Sequence, residues 1–334
     1  MNITGFGDYL IHFSPLSNDR FMQAEIMKIS YTGAEANVCA ALSLWGMNVS
    51  FVTRLPEHSL SKKGVMFLRS FGIDTESIVY GGKRMGLYFL ENGASLRPSQ
   101  VIYDRADSAF TEATVSDFDK DKILSHTDLL YVTGITPSLS NNLFECTLDF
   151  LKEAKKRGIK VVFDINYRSA LSSVNQAGNV LRSLAPYITC LIGNEEHLKM
   201  LLSIDSGYGE DEKEARLREI TEKTRNILGV SKIAVTVRRT LSASDAVTYA
   251  SFFNGDEFAV SREHHIHVVD RVGSGDAFFA GIVYALQNGF STERAVEFAE
   301  ASCALKHTVL NDVNFVSKEE IFKLLENDTT DVKR

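Results

Sequence analysis

Gly273, Ser274 and Gly275 stand immediately before an apolar, helix-like run, and Asp276 follows them directly, in the stretch VVDRVGSGDAFFAG at Val268–Gly281. A glycine-rich turn ahead of a helix lets backbone N–H groups converge on one point, and the helix N-terminus adds positive partial charge. The expected product is an anion cradle. A carboxylate in the first turn, such as Asp276, is stabilised in its charged form and can take a proton from an attacking hydroxyl. A positioned base beside an anion cradle is what transfer of a phosphoryl group to a hydroxyl requires. Taken locally, the same residues also suit a plain helix start, with Ser274 or Asp276 as the cap and the glycines making the turn.

Other nucleotide motifs are missing. No GxxxxGK[ST] sequence occurs, and both Gly5-x-Gly7 and Gly273-x-Gly275 lack the third glycine of a dinucleotide loop, with Leu10 and Phe278 in its place. The HHIH run at His264–His267 offers only His265 and His267 to one strand face, with no third metal ligand apparent. Cys39, Cys146, Cys190 and Cys303 are scattered singly in apolar segments, which suits reduced core thiols rather than a metal site or a disulfide framework.

The elements that must hold this chemistry alternate along the 334 residues. β-branched runs predict strands at Asn2–Gly7, Val49–Arg54, Leu129–Thr133, Lys160–Ile165, Ile188–Ile192, Lys232–Val237 and Ala246–Phe252. Amphipathic runs predict helices at Glu35–Leu44, Ser61–Phe71, Asn141–Arg157, Glu195–Leu202 and Lys213–Leu228, and then at Asp276–Gln287, Thr292–Leu305 and Lys318–Glu326. Such alternation implies a parallel sheet covered on both faces, with its site beyond the strand carboxyl ends. Two stretches, 9–30 and 82–105, lack helical spacing and carry short strand patterns. We expect them to form a small β lid on a main domain of residues 1–8, 31–81 and 106–334. With 36 basic and 43 acidic residues the net charge is −7, which disfavours a basic nucleic-acid surface. No signal peptide or long apolar span is visible, so a cytoplasmic protein without membrane contact is expected.

DRVGSGDAFFAG at Asp270–Gly281 resembles the C-terminal signature of the ribokinase-like (PfkB) carbohydrate kinases, whose usual form is D-T-x-G-A-G-D. TGAEANVCAALSLWG at Thr32–Gly46 is similar to their N-terminal G-G-x-x-x-N signature, with Thr32 in place of the first glycine. Order, spacing and chain length agree, so the resemblance covers essentially the whole chain. It implies a three-layer α/β/α sandwich with a mostly parallel central sheet and a small β-sheet lid. It also implies an enzyme that uses ATP and Mg²⁺, with Asp276 as base and Gly273, Ser274 and Gly275 as anion hole. Gly33 and Asn37 would line the sugar pocket.

Within that family, VIYDRADS at Val101–Ser108, FDINYR at Phe163–Arg168 and ALKHT at Ala304–Thr308 look like 2-keto-3-deoxygluconate kinases. By this resemblance Tyr88, Tyr103, Arg105 and Arg168 contact a sugar acid, and planar arginines suit its carboxylate. Surface ion pairing for the arginines and sheet packing for Tyr88 are the plainer readings. On the nucleotide side, Asn166, Asn194, Thr236 and Arg238 are the implied contacts. Asn194 opens an N-x-x-E motif whose fourth position here is His197, which leaves Glu195 or, preferably, Glu196 to face the Mg²⁺. Relatives suggest a homodimer through the lid. The other readings are a fructokinase or another neutral-sugar kinase on the same scaffold, and a catalytically silent sugar-acid-binding protein.

Overall fold

The computed structural model describes residues 1–326. Near-continuous apolar strands make the centre of the molecule: β1 (Asn2–Phe6), β4 (Asn48–Val52), β9 (Leu129–Thr133), β10 (Lys160–Asp164), β11 (Cys190–Asn194) and β12 (Lys232–Thr240). These six run parallel in the order β12-β11-β10-β9-β1-β4. Beyond β12 the direction reverses. β13 (Asp245–Phe253) is antiparallel to it, and β14 (Phe258–Val260) and β15 (His264–His267) share the outer edge of β13. The sheet is therefore mostly parallel, with an antiparallel margin that strand spacing alone does not foretell.

Strands buried on both faces need helices on both. On one side pack α1 (Ala34–Leu44), α2 (Ser59–Ser70), α9 (Ser274–Gln287), α10 (Thr292–Lys306) and α11 (Lys318–Leu325), around Trp45, Phe278, Phe279 and Phe298. On the other pack α3 (Lys120–Leu124), α5 (Asn141–Lys156), α6 (Val174–Leu184), α7 (Glu195–Leu202) and α8 (Lys213–Leu228), around Phe6, Phe150, Phe163 and Leu198. The short α4 (Ile135–Leu139) follows β9 directly. All four cysteines are buried and free. No described helix is long and apolar enough to cross a membrane.

A second, four-stranded sheet stands apart: β2 (Leu10–Pro15), β3 (Met27–Thr32), β7 (Gly86–Glu91) and β8 (Gln100–Asp104), in the order β3-β2-β7-β8. The two outer pairs are antiparallel and the central pair, β2 with β7, is parallel. Its Leu10, Tyr88 and Leu90 pack on Val272, directly before the Gly273 turn. The β7–β8 loop reaches further. Ala243 N–H donates to the Ser95 carbonyl at 2.7 Å, and Ser95 N–H donates to Ser244 Oγ at 3.0 Å. A two-stranded pair, β5 (Arg54–Leu55) with β6 (Val79–Tyr80), completes the strands described.

Candidate active site

The parallel register sets the floor of the site. Thr133 lies beside Asp164 at the ends of β9 and β10, and Asn194 beside Thr236 on β11 and β12. Above these strand ends opens a cavity of about 720 Å³, and the candidate positions named from the sequence line it, apart from Glu195 and the HHIH run.

Gly273 caps α9 with φ +76°, a left-handed conformation that favours glycine. A Cβ there would also stand 1.9 Å from the Asp312 carbonyl oxygen. Steric need therefore fixes this glycine twice over. No side chain caps the helix, and Ser274 Oγ turns back to donate to the Arg271 carbonyl at 3.0 Å. The plain helix-cap reading of Ser274 and Asp276 is thus not what the structure contains. Nothing lies within 4 Å of where a Cβ on Gly275 would point, so the backbone here faces open space. Free N–H groups at the start of a 14-residue helix make a site for an anion.

Asp276 sits in the first turn of α9, and its Oδ2 accepts a 2.8 Å hydrogen bond from Asn37 Nδ2. Asn37 projects from the first turn of α1, and Thr32 Oγ1 donates to its Oδ1 at 3.3 Å. Thr32, which replaces a family glycine, therefore fixes which way the Asn37 amide faces. Gly33 is extended, so its backbone would suit any residue. Its Cβ, however, would stand 2.1 Å from the Asp8 carbonyl oxygen, which requires glycine for close approach. Burial in the cleft raises the Asp276 pKa to about 7; Asn37 and Arg168 pull it down, and the neighbouring charges of Asp164 and Asp312 push it up. Asp164 is likewise raised to about 7, mainly by burial, although Arg168 and the Asn166 N–H, 3.1 Å from its Oδ1, oppose this.

Side chains of the second sheet cover one end of the cavity. Tyr88 stacks on Tyr103 with ring centroids 5.2 Å apart, and the Arg105 guanidinium lies 4.3 Å above the Tyr103 ring. Arg105 also faces buried Asp8 at 3.8 Å. Both Asp8 carboxylate oxygens are buried without a hydrogen-bond partner, and burial raises the pKa of this group. Behind Tyr88, His12 packs at 4.4 Å and its Nδ1 lies 2.7 Å from Asp312 Oδ2. Arg168 enters from the end of β10. It is exposed to the cavity and donates to the Tyr167 carbonyl, while Asp164, Asp276, Tyr88 and His197 all feel its charge.

At the other end, Asn194 Oδ1 accepts from Glu196 N–H at 2.9 Å and caps α7. The next two positions diverge. Glu195 is buried and paired with Arg216 at 3.3 Å, facing away, whereas Glu196 is exposed on the cavity with Lys199 3.9 Å distant. His197 is driven down to about 4 by burial and by the positive charges of Arg168 and Arg238. Arg238 is exposed at the end of β12 beside Thr236. The described residues contain no cluster of three or more His, Cys, Asp or Glu side chains able to hold a metal by themselves, HHIH included. His265 and His267 are exposed, and His267 lies 3.0 Å from Asp245.

Several residues of the site carry no sequence signal that singles them out. Asp164 lies one residue before the end of the predicted strand Lys160–Ile165 and ends β10 itself, and the rule that sites gather at strand carboxyl ends points to it. Asp8 and Asp312 become neighbours of the site only through the fold.

Comparison with known proteins agrees with this geometry. The family model described as pfkB family carbohydrate kinase matches residues 2–318. A crystal structure of 2-dehydro-3-deoxygluconokinase from Thermotoga maritima is 37% identical, covers 98% of both chains and superposes with a TM-score of 0.94. A putative 2-keto-3-deoxygluconate kinase from Enterococcus faecalis is 28% identical, covering 100% of this chain and 99% of its own, with a TM-score of 0.93. Among curated proteins, the 2-dehydro-3-deoxygalactonokinase of Haloferax volcanii is 29% identical over 98% of each chain.

Proposed function

Because the chain belongs to the pfkB family of carbohydrate kinases, we propose that it transfers the γ-phosphoryl group of ATP to a terminal hydroxyl of a sugar acid, 2-keto-3-deoxygluconate foremost, giving the 6-phosphate. The observation that carries this reading is the placement of Arg105, Arg168 and Asp276 on one cavity beside the uncapped Gly273 turn. A neutral sugar has no use for two guanidinium groups, whereas a carboxylate binds them through paired hydrogen bonds.

The sugar acid lies beneath Tyr88 and Tyr103, with Gly33 and Asn37 against its hydroxyls. Asp276 receives the hydroxyl proton as the new O–P bond forms and the bond from the γ-phosphorus to the β-phosphate bridging oxygen breaks. The N–H groups of Gly273, Ser274 and Gly275 stabilise the charge that gathers on the transferred group. Asn166, Asn194, Thr236 and Arg238 hold the nucleotide. Mg²⁺ is usually held by phosphates, waters and one or two carboxylates, and exposed Glu196 fits that modest demand. When bound, the ion neutralises phosphate charge. The second sheet acts as a lid over the sugar end, excluding water that would otherwise accept the phosphoryl group. Its outer strand β8 is exposed along its length, with Val101 and Ile102 on show, and this edge suits a dimer contact. The enzyme would act in the cytoplasm, where ATP is available.

The galactonate epimer is the second reading, favoured by the Haloferax volcanii relative. A coupled ADP-release assay over both 2-keto-3-deoxy epimers, 5-dehydro-2-deoxygluconate, fructose and ribose decides between them. Turnover should be highest on one of the 2-keto-3-deoxy acids. Preference for fructose or ribose would overturn the sugar-acid reading, and no turnover on any of them would overturn the kinase reading.

A further inference from the structure

Four residues, 241–244, join β12 to β13, and a turn leaves carbonyl groups that no strand partner takes up. The Arg271 guanidinium takes up two of them. Its Nε donates to the Ala243 carbonyl at 3.2 Å, and a terminal nitrogen donates to the Ser242 carbonyl. A planar, permanently charged fork suits two adjacent carbonyls, and bonds from a charged donor are stronger than neutral ones. The turn is braced from within as well: Ser244 N–H donates to Ser242 Oγ at 3.0 Å, and Ser242 Oγ donates to Asp245 Oδ2 at 2.8 Å. The Arg271 carbonyl in turn accepts from Ser274 Oγ at 3.0 Å. Arg271 is thus tied to the turn by its side chain and to the start of α9 by its backbone.

The same turn carries the β7–β8 loop. Both polar backbone groups of Ser95 bond to it, the carbonyl to Ala243 N–H and the N–H to Ser244 Oγ. Ser95 has φ +50°, a left-handed conformation uncommon for serine, and such a backbone persists where its surroundings hold it. Asn92 and Ser99 in this loop and Thr240 before the turn all line the cavity, so the contact joins two parts of its wall. The second sheet therefore meets segment 271–273 twice. It does so directly, where Leu10, Tyr88 and Leu90 pack on Val272, and through turn 241–244 at Arg271. Gly273, the next residue, begins the anion cradle.

We infer that Arg271 is a positioning residue that clamps turn 241–244, on which the β7–β8 loop rests, and so couples closure over the sugar acid to the Gly273 turn. This rests on the reading of the second sheet as a lid and of the Gly273 turn as an anion hole. Without the clamp the loop loses its seat, the sugar end opens, and water competes with the sugar hydroxyl for the phosphoryl group.

Full-length wild type, Arg271→Ala, Arg271→Lys, Ser244→Ala and the Arg271→Ala/Ser244→Ala double variant are compared with ATP and 2-keto-3-deoxygluconate. Arg271→Ala should raise the sugar KM about tenfold and lower kcat by a similar factor, as for a lost closure contact. Its ATP affinity by calorimetry should stay within about threefold of wild type, and the ratio of ATP hydrolysed to sugar phosphorylated should rise. Arg271→Lys, which keeps the charge and can serve one carbonyl, should recover part of the loss. Ser244→Ala removes only the acceptor for Ser95 and should raise the sugar KM about threefold. Because both residues serve one latch, the double variant should be no worse than Arg271→Ala. Amide hydrogen exchange of the ligand-free protein reads the latch without turnover, and residues 93–97 and 241–245 should exchange faster in Arg271→Ala. Wild-type exchange at 93–97 overturns the inference, as do wild-type sugar kinetics, additive losses in the double variant, or weakened ATP binding with an unchanged sugar KM. If Arg271→Ala does not fold, Arg271→Lys and Ser244→Ala carry the same comparison. If wild type phosphorylates no sugar while the exchange behaves as stated, the kinase reading fails and the latch stands.

Discussion

Asn37 donates to Asp276 at 2.8 Å although 239 positions separate them in sequence. The contact joins the N-terminal and C-terminal signature stretches into one device. It occupies Oδ2 of the carboxylate, so the proposed proton transfer to Asp276 falls to Oδ1. Thr32 determines the direction of the bond, because its hydroxyl claims the amide oxygen and turns the NH₂ group toward Asp276.

Replacing Asp276 with Asn preserves shape but removes the proton acceptor. The kcat of Asp276→Asn should fall by on the order of 10²–10⁴-fold. Nucleotide affinity, followed by isothermal calorimetry, should stay near wild type. Near-normal turnover would remove Asp276 from the chemistry.

The acid side of the pH profile should report the same carboxyl. With the Asp276 pKa raised to about 7, the base form is present above that pH and lost below it. The kcat/KM profile of the free enzyme should therefore fall with an apparent pKa near 7. Asp164, also near 7, couples to it, so the limb belongs to the pair. Asp164→Asn removes a like charge and should move the limb to lower pH, while Asn37→Ala removes a stabilising donor and should move it higher. Opposite movements would contradict this assignment.

Arg168 and Arg105 are not equivalent. Arg168 is exposed to the cavity, whereas Arg105 already faces buried Asp8 at 3.8 Å. Arg168→Lys should raise KM for the sugar acid by about tenfold or more and leave KM for ATP almost unchanged, since lysine keeps the charge and loses the fork. Arg105→Ala should also lower the melting temperature, because it strands a buried carboxylate. Wild-type sugar kinetics in Arg168→Lys would move the carboxylate elsewhere.

Glu300 lines the cavity, buried with Oε1 unpartnered, and burial raises its pKa from 4.5 to about 8. The unfolded chain releases this proton above pH 4.5 and the folded chain only near 8, so the native state loses stability as pH rises between these values. Glu300→Gln escapes that loss. Its melting temperature should exceed wild type by a few degrees at pH 8 and show no such gain at pH 4, which a thermal-shift series would measure.

The sequence exposed some elements and concealed others for physical reasons. α7 and α8 could be read to the residue, because Asn194 caps one and Gly229, at φ +68°, closes the other. The GSGD turn was legible because its chemistry is contiguous. α6 went unread: VNQAGNVLRSL is polar and carries Gly178, and only the Ser173–Gln176 capping box marked its start. Glu196, the position preferred from the sequence, faces the cavity, while the turn of α7 points Glu195 at Arg216. Asp8 and Asp312 sit in loops, where no periodicity tells which way a side chain points.

The buried pair of His12 and Asp312 spans 300 positions. On a ribosome adding roughly 5–20 residues each second, the imidazole therefore waits on the order of tens of seconds for its carboxylate. Throughout that interval the second sheet lacks its anchor, and the Gly273 turn lacks the backbone that presses on it. A chain of fewer than 312 residues lacks the Asp312 carbonyl that packs against Gly273, and one of fewer than 276 lacks Asp276 as well.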